Sequence, residues 1–108
     1  MNFNELEIMD YTSSIDSSSS LAVVAVPPNG FHPPAYSKRS DKFYFVIHGT
    51  LLFTVGDDQT ILEEGDVSLV QRGEVFSYRN HTQDTARLIL VHTPSFDFTS
   101  EIFTCPLE

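Results

Sequence analysis

The chain has 108 residues and a mass of 12.2 kDa, a length that fits a single domain. Hydrophobic residues make up 41% of it, enough to bury a core, so wholesale disorder is not expected. Its 15 Asp and Glu against six Lys and Arg give a formal charge of −9, which argues against nucleic-acid and membrane partners because both need a basic surface.

The sequence shows no pattern typical of a secretory signal or a membrane span. The first ten residues, MNFNELEIMD, have neither a basic segment nor an apolar run typical of a signal peptide, and no stretch approaches the length of a membrane span. Cys105 is the only cysteine, which excludes an internal disulfide and a multi-cysteine metal site. We therefore expect a cytoplasmic protein.

The predicted elements begin with NELEIMDY, which is compatible with a short strand or a helical turn. A Ser-rich segment over residues 13–20 predicts a loop, because serine side chains compete for backbone hydrogen bonds. The apolar run LAVVAV then predicts a strand, which ends at Pro27.

A Pro-rich segment, FHPPAYSK, separates this strand from a series of short β-rich runs. The runs are FYFVIHG, TLLFTV, QTILEEGD, VSLV, EVFSYRN and ARLILVHT. Each is bounded by Gly, Asp, Asn or Pro, and no long window shows the helical period of 3.6 residues. Many short strands without intervening helices predict an all-β antiparallel sandwich or barrel. The tail, EIFTCPLE, is expected to add a strand or to pack across one end.

Two sets of residues repeat a known spacing. In the first, five residues separate Gly30 from Tyr36, one separates Tyr36 from Lys38, three separate Lys38 from Lys42, and six separate Lys42 from Gly49.

In the second set, five residues lie between Gly65 and Gln71, one before Gly73, two before Phe76 and three before Asn80. These spacings resemble the two cupin motifs, G-x5-H-x-H-x3-E-x6-G and G-x5-P-x-G-x2-H-x3-N. The resemblance covers about residues 21–95 and implies a double-stranded β-helix, the small jelly-roll barrel of that family, often paired as a homodimer.

The same resemblance divides the chain into three parts. Residues 1–20 supply an N-terminal strand and the Ser-rich loop, which either pack on the barrel or are flexible. Residues 21–95 form the cupin barrel, and residues 96–108 form an extension that packs on it.

The metal ligands of the family are absent from both motifs. Where metal-binding cupins have two His and a Glu in the first motif and a His in the second, this sequence has Tyr36, Lys38, Lys42 and Phe76. Divalent metals need neutral imidazole nitrogens or anionic oxygens, and ammonium groups repel them. We therefore expect neither a metal nor any other cofactor.

Strand alternation places other side chains inside the barrel. If Lys42 points inward, Tyr44 does so too, and Tyr78 and Asn80 share the face of Phe76. The candidate ligand-binding residues are Lys38, Tyr44, Phe53, Phe76, Tyr78 and Asn80, and the candidate catalytic residues are Lys42, Tyr36 and His92. His32, by contrast, precedes two prolines in a predicted loop and is expected to be exposed.

Three functions are open for such a barrel. A buried lysine must lose its proton, pair with a carboxylate or meet an anionic ligand, so a small anionic or enolisable molecule is one expected ligand. A metal-independent isomerase, epimerase or cyclase would use Lys42 to stabilise an oxyanion, a tyrosine to donate a proton and His92 as the base. The alternatives are a non-catalytic binding protein and a structural protein whose decayed site is filled by side chains.

The substituted motif predicts the metal content of the purified protein. Because no imidazole or carboxylate stands at the four ligand positions, we expect far less than one transition metal per chain. Elemental analysis after purification without chelators measures this, and a content near one metal per chain would contradict the prediction.

Overall fold

The structure is a computed structural model that describes residues 2–3, 6–12 and 18–104. Most of the predicted Ser-rich loop, and the end of the tail with Cys105, lie outside the described residues.

The described residues form eleven strands and one 3₁₀ helix, which spans Phe98–Ser100. The strands are β1 (Asn2–Phe3), β2 (Leu6–Asp10), β3 (Ser20–Val26), β4 (Phe31–Ser37), β5 (Asp41–His48), β6 (Leu51–Val55), β7 (Asp58–Leu62), β8 (Val67–Val70), β9 (Phe76–Arg79), β10 (Ala86–Thr93) and β11 (Glu101–Phe103). The described part of the chain contains no α-helix, so the all-β prediction is confirmed. It has no helix long and apolar enough to cross a membrane.

Two antiparallel sheets face each other. The first sheet has the order β1-β2-β3-β10-β5-β8, and the second has the order β11-β4-β9-β6-β7. In the first sheet β10 lies between β3 and β5, and its register sets Leu90 opposite Tyr44 and His92 opposite Lys42. Non-consecutive neighbours of this kind bring residues from distant parts of the chain to one place between the sheets.

The alternation of each strand decides which side chains enter the core. In β3 the even-numbered residues are buried, and in β5 Lys42, Tyr44 and Val46 are buried while their neighbours Phe43 and Phe45 are exposed. Period-two burial is the expected result when one face of a sheet covers a core and the other does not. The predicted inward direction of Lys42 and Tyr44 thus agrees with the structure.

Gly49, after β5, occupies a position that accepts only glycine. Its φ is +85°, and a Cβ built there would lie 2.9 Å from the Cα of Ala86. A left-handed backbone and a close approach to β10 both exclude a side chain at this turn.

The Pro-rich segment FHPPAYSK, which separated the predicted strands, is itself a strand, β4. Its pairing with β9 shifts register between His32 and Ala35, so a bulge contains Pro33 and Pro34. Prolines lack the N–H that a regular ladder needs, and a bulge is where a strand can accept them. The bulge also changes which β4 side chains face inward, with consequences for the site.

The outer face of the first sheet is apolar and uncovered. Six large apolar side chains there are between 37% and 59% exposed: Leu21, Phe43, Phe45, Ile47, Val67 and Leu69. Monomers rarely leave apolar patches beyond a few hundred Å² in water. None of the six is charged, so a second copy can cover these six side chains without burying a charge among them.

We propose that two copies of the chain pair through this apolar face. Phe45→Asp places a charge at its centre and should convert a dimer into a monomer, which light scattering detects as a mass near 12.2 kDa instead of twice that value. Ile61→Asp is the matched control, because Ile61 is 54% exposed on β7 of the other sheet. A wild-type protein that is monomeric at micromolar concentration would contradict the proposal.

Candidate functional site

The centre of the candidate site is Lys42, which is 2% exposed on the inner face of β5. Its Nζ donates a hydrogen bond to Oε1 of Glu101 and lies 4.4 Å from the centroid of the Phe76 ring. Glu101 belongs to β11 of the opposite sheet, and its side chain is 7% exposed. A buried lysine can lose its proton, pair with a carboxylate or meet an anionic ligand. In this structure Lys42 pairs with a carboxylate.

The pair has opposing effects on the pKa of Lys42. Burial removes water from the ammonium and lowers the pKa, and this is the larger effect. The charge of Glu101 and its hydrogen bond act in the opposite direction. The Lys42 ammonium is therefore easier to deprotonate than that of an exposed lysine.

A cluster of four aromatic rings lies beneath the ion pair. Ring centroids are 5.0 Å apart for Tyr44 and Phe53, 5.4 Å for Phe53 and Tyr78, and 5.6 Å for Tyr44 and Phe76. Burial raises the pKa of both Tyr44 and Tyr78, so both phenols keep their protons. The four rings of the cluster therefore carry no charge.

Two histidines lie near the ion pair. His92, on β10, is directly opposite Lys42 in the sheet, and burial lowers its pKa to about 3, with a further contribution from the charge of Lys42. His32, on β4, lies 4.8 Å from the Phe76 ring and stacks on Phe103, and burial lowers its pKa to about 4. Both imidazoles are neutral at physiological pH.

These positions correct two expectations about histidines. His32 is not exposed: the bulge at Pro33 and Pro34 lets it face the aromatic cluster from β4. His92 does lie beside Lys42, but a pKa of about 3 does not suit a general base near neutral pH. A neutral imidazole in this position is better suited to hydrogen bonding than to proton abstraction.

Two buried polar atoms at the site have no hydrogen-bond partner among the residues that the structure describes. Nε2 of His92 and Oε2 of Glu101 are buried, and neither has a hydrogen-bond partner within the described ranges. Leaving a buried polar atom unsatisfied costs about 1–3 kcal/mol. A bound molecule that supplied the missing hydrogen bonds would recover this free energy.

Both side chains line a cavity of about 450 Å³ between the two sheets. The remaining lining residues are Ile8, Met9, Asp10, Ser20, Ala22, Val24, His32, Lys42, Tyr44, Tyr78, Leu90, Phe96, Phe98 and Phe103. Met9 and Phe98 are also exposed, so the cavity opens to solvent beside them. The cavity therefore lies beside the packed aromatic cluster, between that cluster and the two ends of the chain.

Five residues chosen from the sequence do not line this cavity. Phe53 and Phe76 lie within the packed core, although Phe76 still contacts Lys42. Tyr36 lies on the outward face of β4, because its neighbours Ala35 and Ser37 are the buried ones after the bulge. Lys38 follows the end of β4 and is exposed.

Asn80, the fifth, is buried but fully engaged in tying loops together. Its amide nitrogen donates to the carbonyls of Val26 and Asp84, and its Oδ1 accepts from the backbone N–H and the hydroxyl of Thr82. No polar atom of its side chain is left for a ligand, so its function here is structural.

The sequence reasoning missed the residues contributed by the two ends of the chain. Ile8, Met9 and Asp10 come from β2, whereas Phe96, Phe98, Glu101 and Phe103 come from the segment after β10. All lie outside the motif region, 21–95. The one available signal was the β-rich sequence Glu101–Phe103 in the tail, with a carboxylate at its start.

The residues present do not fit the family's metal. A lysine ammonium is at the centre of the site, and among residues 2–3, 6–12 and 18–104 no three His, Cys, Asp or Glu side chains are grouped as ligands. In the described part of the chain, the neutral imidazoles are the suitable nitrogen donors near it, and the nearest carboxylate is already paired with Lys42.

The fold and the cavity define a class, a small jelly-roll barrel with a cavity between its sheets. The sequence matches the family model of the cupin domain over residues 22–92. This chain belongs to the cupin family, and the predicted double-stranded β-helix is confirmed.

Several solved structures share the fold. Pac13 of Streptomyces, a nucleoside dehydratase, has a TM-score of 0.85 and 18% identity, and the match covers all of this chain and 85% of that one. The cupin domain of Schizosaccharomyces pombe Cnp3 has a TM-score of 0.78 at 22% identity over 90% of this chain and 69% of that one. An oxalate oxidase has a TM-score of 0.74 at 18% identity, covering 94% and 56%. Identities this low establish the fold alone.

One curated relative is closer in sequence. The endoribonuclease YbeY of Myxococcus xanthus is 33% identical over 85 residues, which are 79% of this chain and 28% of that protein. The chain thus spans little more than a quarter of this relative's length.

The low pKa of His92 predicts how stability depends on pH. An unfolded histidine titrates near 6.5 and a native His92 near 3, so between these values the unfolded state binds more protons. The free energy of unfolding is therefore highest above pH 6.5 and decreases as the pH falls. One such group accounts for about 2 kcal/mol between pH 7 and pH 5.

Urea unfolding at pH 7, 6 and 5 measures this dependence. His92→Gln should reduce the loss of stability on acidification, whereas His81→Gln, at an exposed position, should leave it unchanged. An identical pH dependence in the wild-type protein and His92→Gln would contradict the assignment.

Proposed function

We propose that this cupin binds a small, uncharged molecule that combines a flat ring with hydroxyl or N–H groups, in the cavity between its sheets. The observation that carries the proposal is the pair of unpartnered buried atoms, Nε2 of His92 and Oε2 of Glu101, on side chains that line the cavity. A carboxylate oxygen accepts hydrogen bonds only, so the ligand must present at least one donor.

The charge of the cavity favours an uncharged ligand. Its lining contains two carboxylates, Asp10 and Glu101, and one ammonium, Lys42. With Lys42 already paired, the reason to expect an anionic ligand disappears, and a free anion would face a net negative wall on a chain of charge −9. An anion would also have to displace Glu101 from its buried contact.

The apolar part of the wall favours a ring. Leu90, Ala22 and Val24 line the cavity from the first sheet, and Phe96, Phe98 and Phe103 line it from the C-terminal segment. Aromatic and aliphatic walls with a few polar groups at one end are typical of sites for drug-sized molecules, and about 450 Å³ accommodates one. The similar fold of Pac13, a nucleoside dehydratase with structures that contain uridine, makes an uncharged nucleoside a suitable first probe.

A second candidate is catalysis by proton transfer, favoured by the contact between Lys42 and Glu101. A lysine with a lowered pKa, bonded to a carboxylate, can shuttle a proton within the pair, as an isomerase, epimerase, cyclase or dehydratase requires. Binding is the better supported function because it needs only the cavity and its donors and acceptors. RNA cleavage is not extended to this chain, given the 28% coverage of the Myxococcus relative and the acidic surface.

Calorimetric titration with uridine tests the binding proposal. We expect saturable binding of one uridine per chain, and weaker binding of uridine 5′-monophosphate by about tenfold or more, or ~1.4 kcal/mol, because of the acidic wall. The same titrations extend to other uncharged ring-bearing alcohols.

Matched variants show whether binding occurs in the cavity. Ala22→Phe projects a ring into the cavity from β3 and should abolish binding, whereas Ala25→Phe adds the same volume on the outer face of the same strand and should not. If only carboxylates or phosphates bind, or if Ala22→Phe binds like the wild-type protein, the proposal is wrong.

A further inference from the structure

The chain contains only two lysines, and the fold places them in opposite environments. Lys38 is exposed after the end of β4. Lys42 is 2% exposed and faces the cavity with its Nζ between the Phe76 ring and Glu101. One amine is thus a solvated cation, and the other is a desolvated group at the edge of a space that can hold a small molecule.

Burial makes the Lys42 ammonium easier to deprotonate than an exposed lysine. Desolvation penalises a buried ammonium and a buried carboxylate alike, so transfer of the proton from Nζ to Glu101 removes two buried charges at once. The Phe76 ring on one side attracts the ammonium, whereas the apolar residues of the cavity wall offer it no hydrogen bonds. A neutral lysine amine in an apolar pocket is a nucleophile, whereas the ammonium is not.

We propose that Lys42 is a reactive amine that forms an imine with a small uncharged aldehyde admitted to the cavity. The proposal rests on the proposed function only in requiring that the cavity admit such a molecule. It adds a covalent step that binding alone does not involve.

The step balances with the groups present. The ammonium of Lys42 gives a proton to Glu101, and the amine lone pair attacks the carbonyl carbon, forming a C–N bond while the carbonyl π electrons move to oxygen. The nitrogen of the adduct loses its extra proton and the oxygen gains one, which gives a neutral carbinolamine. Glu101 then returns its proton to the hydroxyl, which leaves as water as the C=N bond forms. The product is a protonated imine beside a carboxylate, so the charges of the original pair are restored.

Reductive trapping with benzaldehyde and sodium cyanoborohydride tests the proposal on the full chain. Hydride from the reagent converts the imine into a stable secondary amine, which peptide mapping by mass spectrometry assigns to Lys38, Lys42 or the N-terminal amine. At pH 7 we expect Lys42 to be modified at least about tenfold faster than Lys38, because burial beside the cavity increases the fraction of Lys42 that is unprotonated. Equal rates, or a faster reaction at Lys38, would overturn the proposal.

Unfolding provides the matched control. In concentrated guanidinium chloride both lysines lie in solvated chain, so the preference for Lys42 should disappear. A preference that survives unfolding would arise from the local sequence and would contradict an effect of the cavity.

Variants extend the test. Lys38→Met should leave the reaction at Lys42 unchanged. Lys42→Met alone would leave the Glu101 carboxylate buried without a partner, which is destabilising. The double variant Lys42→Met/Glu101→Gln removes both charges and is therefore the folded control. It should lose only the product formed at Lys42.

The outcome is separable from that of the proposed function. If uridine binds but Lys42 does not react with benzaldehyde, the binding proposal stands and the proposal of a reactive amine is wrong. Selective trapping at Lys42, without binding of any uncharged ring-bearing alcohol, would do the reverse.

Discussion

The buried ion pair between Lys42 and Glu101 is the contact on which the rest of the site depends. It joins β5 of the first sheet to β11 of the second, across the interior of the barrel. Taking two charges out of water is costly, and the contact offsets that cost only while both partners are present; removing one typically costs 3–5 kcal/mol. β11 is three residues long and pairs only with β4 among the described strands. The ion pair therefore adds a strong reason for this short strand to stay against the barrel.

The ion pair also determines the electrostatic state of its neighbours. The charge on Lys42 opposes protonation of His32 and His92, in addition to the larger effect of burial. Tyr44 is affected in the opposite sense, since the negative charge of Glu101 adds to burial in raising the pKa of its phenol. His32, His92 and Tyr44 are thus held uncharged around one charged contact.

Much of the fold was predictable because it follows from local rules. Short β-rich runs and the spacing of the glycines indicated the barrel, and period-two alternation correctly turned Lys42, Tyr44 and Tyr78 inward. The prediction for Tyr36 failed at a definite place, the register shift between His32 and Ala35, since one extra residue reverses which side chains face the core. Because the sequence does not show this bulge, it also did not predict that His32 faces the interior.

Glu101 could not be found by such rules. It lies 59 residues from Lys42 along the chain and outside the motif region, and no periodic pattern relates the two. The need for such a partner was nevertheless predictable, because an inward lysine without compensation is too costly. What the sequence left open was whether that partner belonged to the protein or to a ligand.

That distinction changes what the lysine can contribute. An ammonium awaiting an anion would act as a fixed positive charge, much as a metal does, and would select acids. An ammonium already paired with a carboxylate is close to a neutral dipole seen from the cavity, and it offers a ligand little net attraction for charge. The substitution at this cupin ligand position therefore places a contact between two protein groups, which joins the two sheets, where metal-binding members of the family have a ligand.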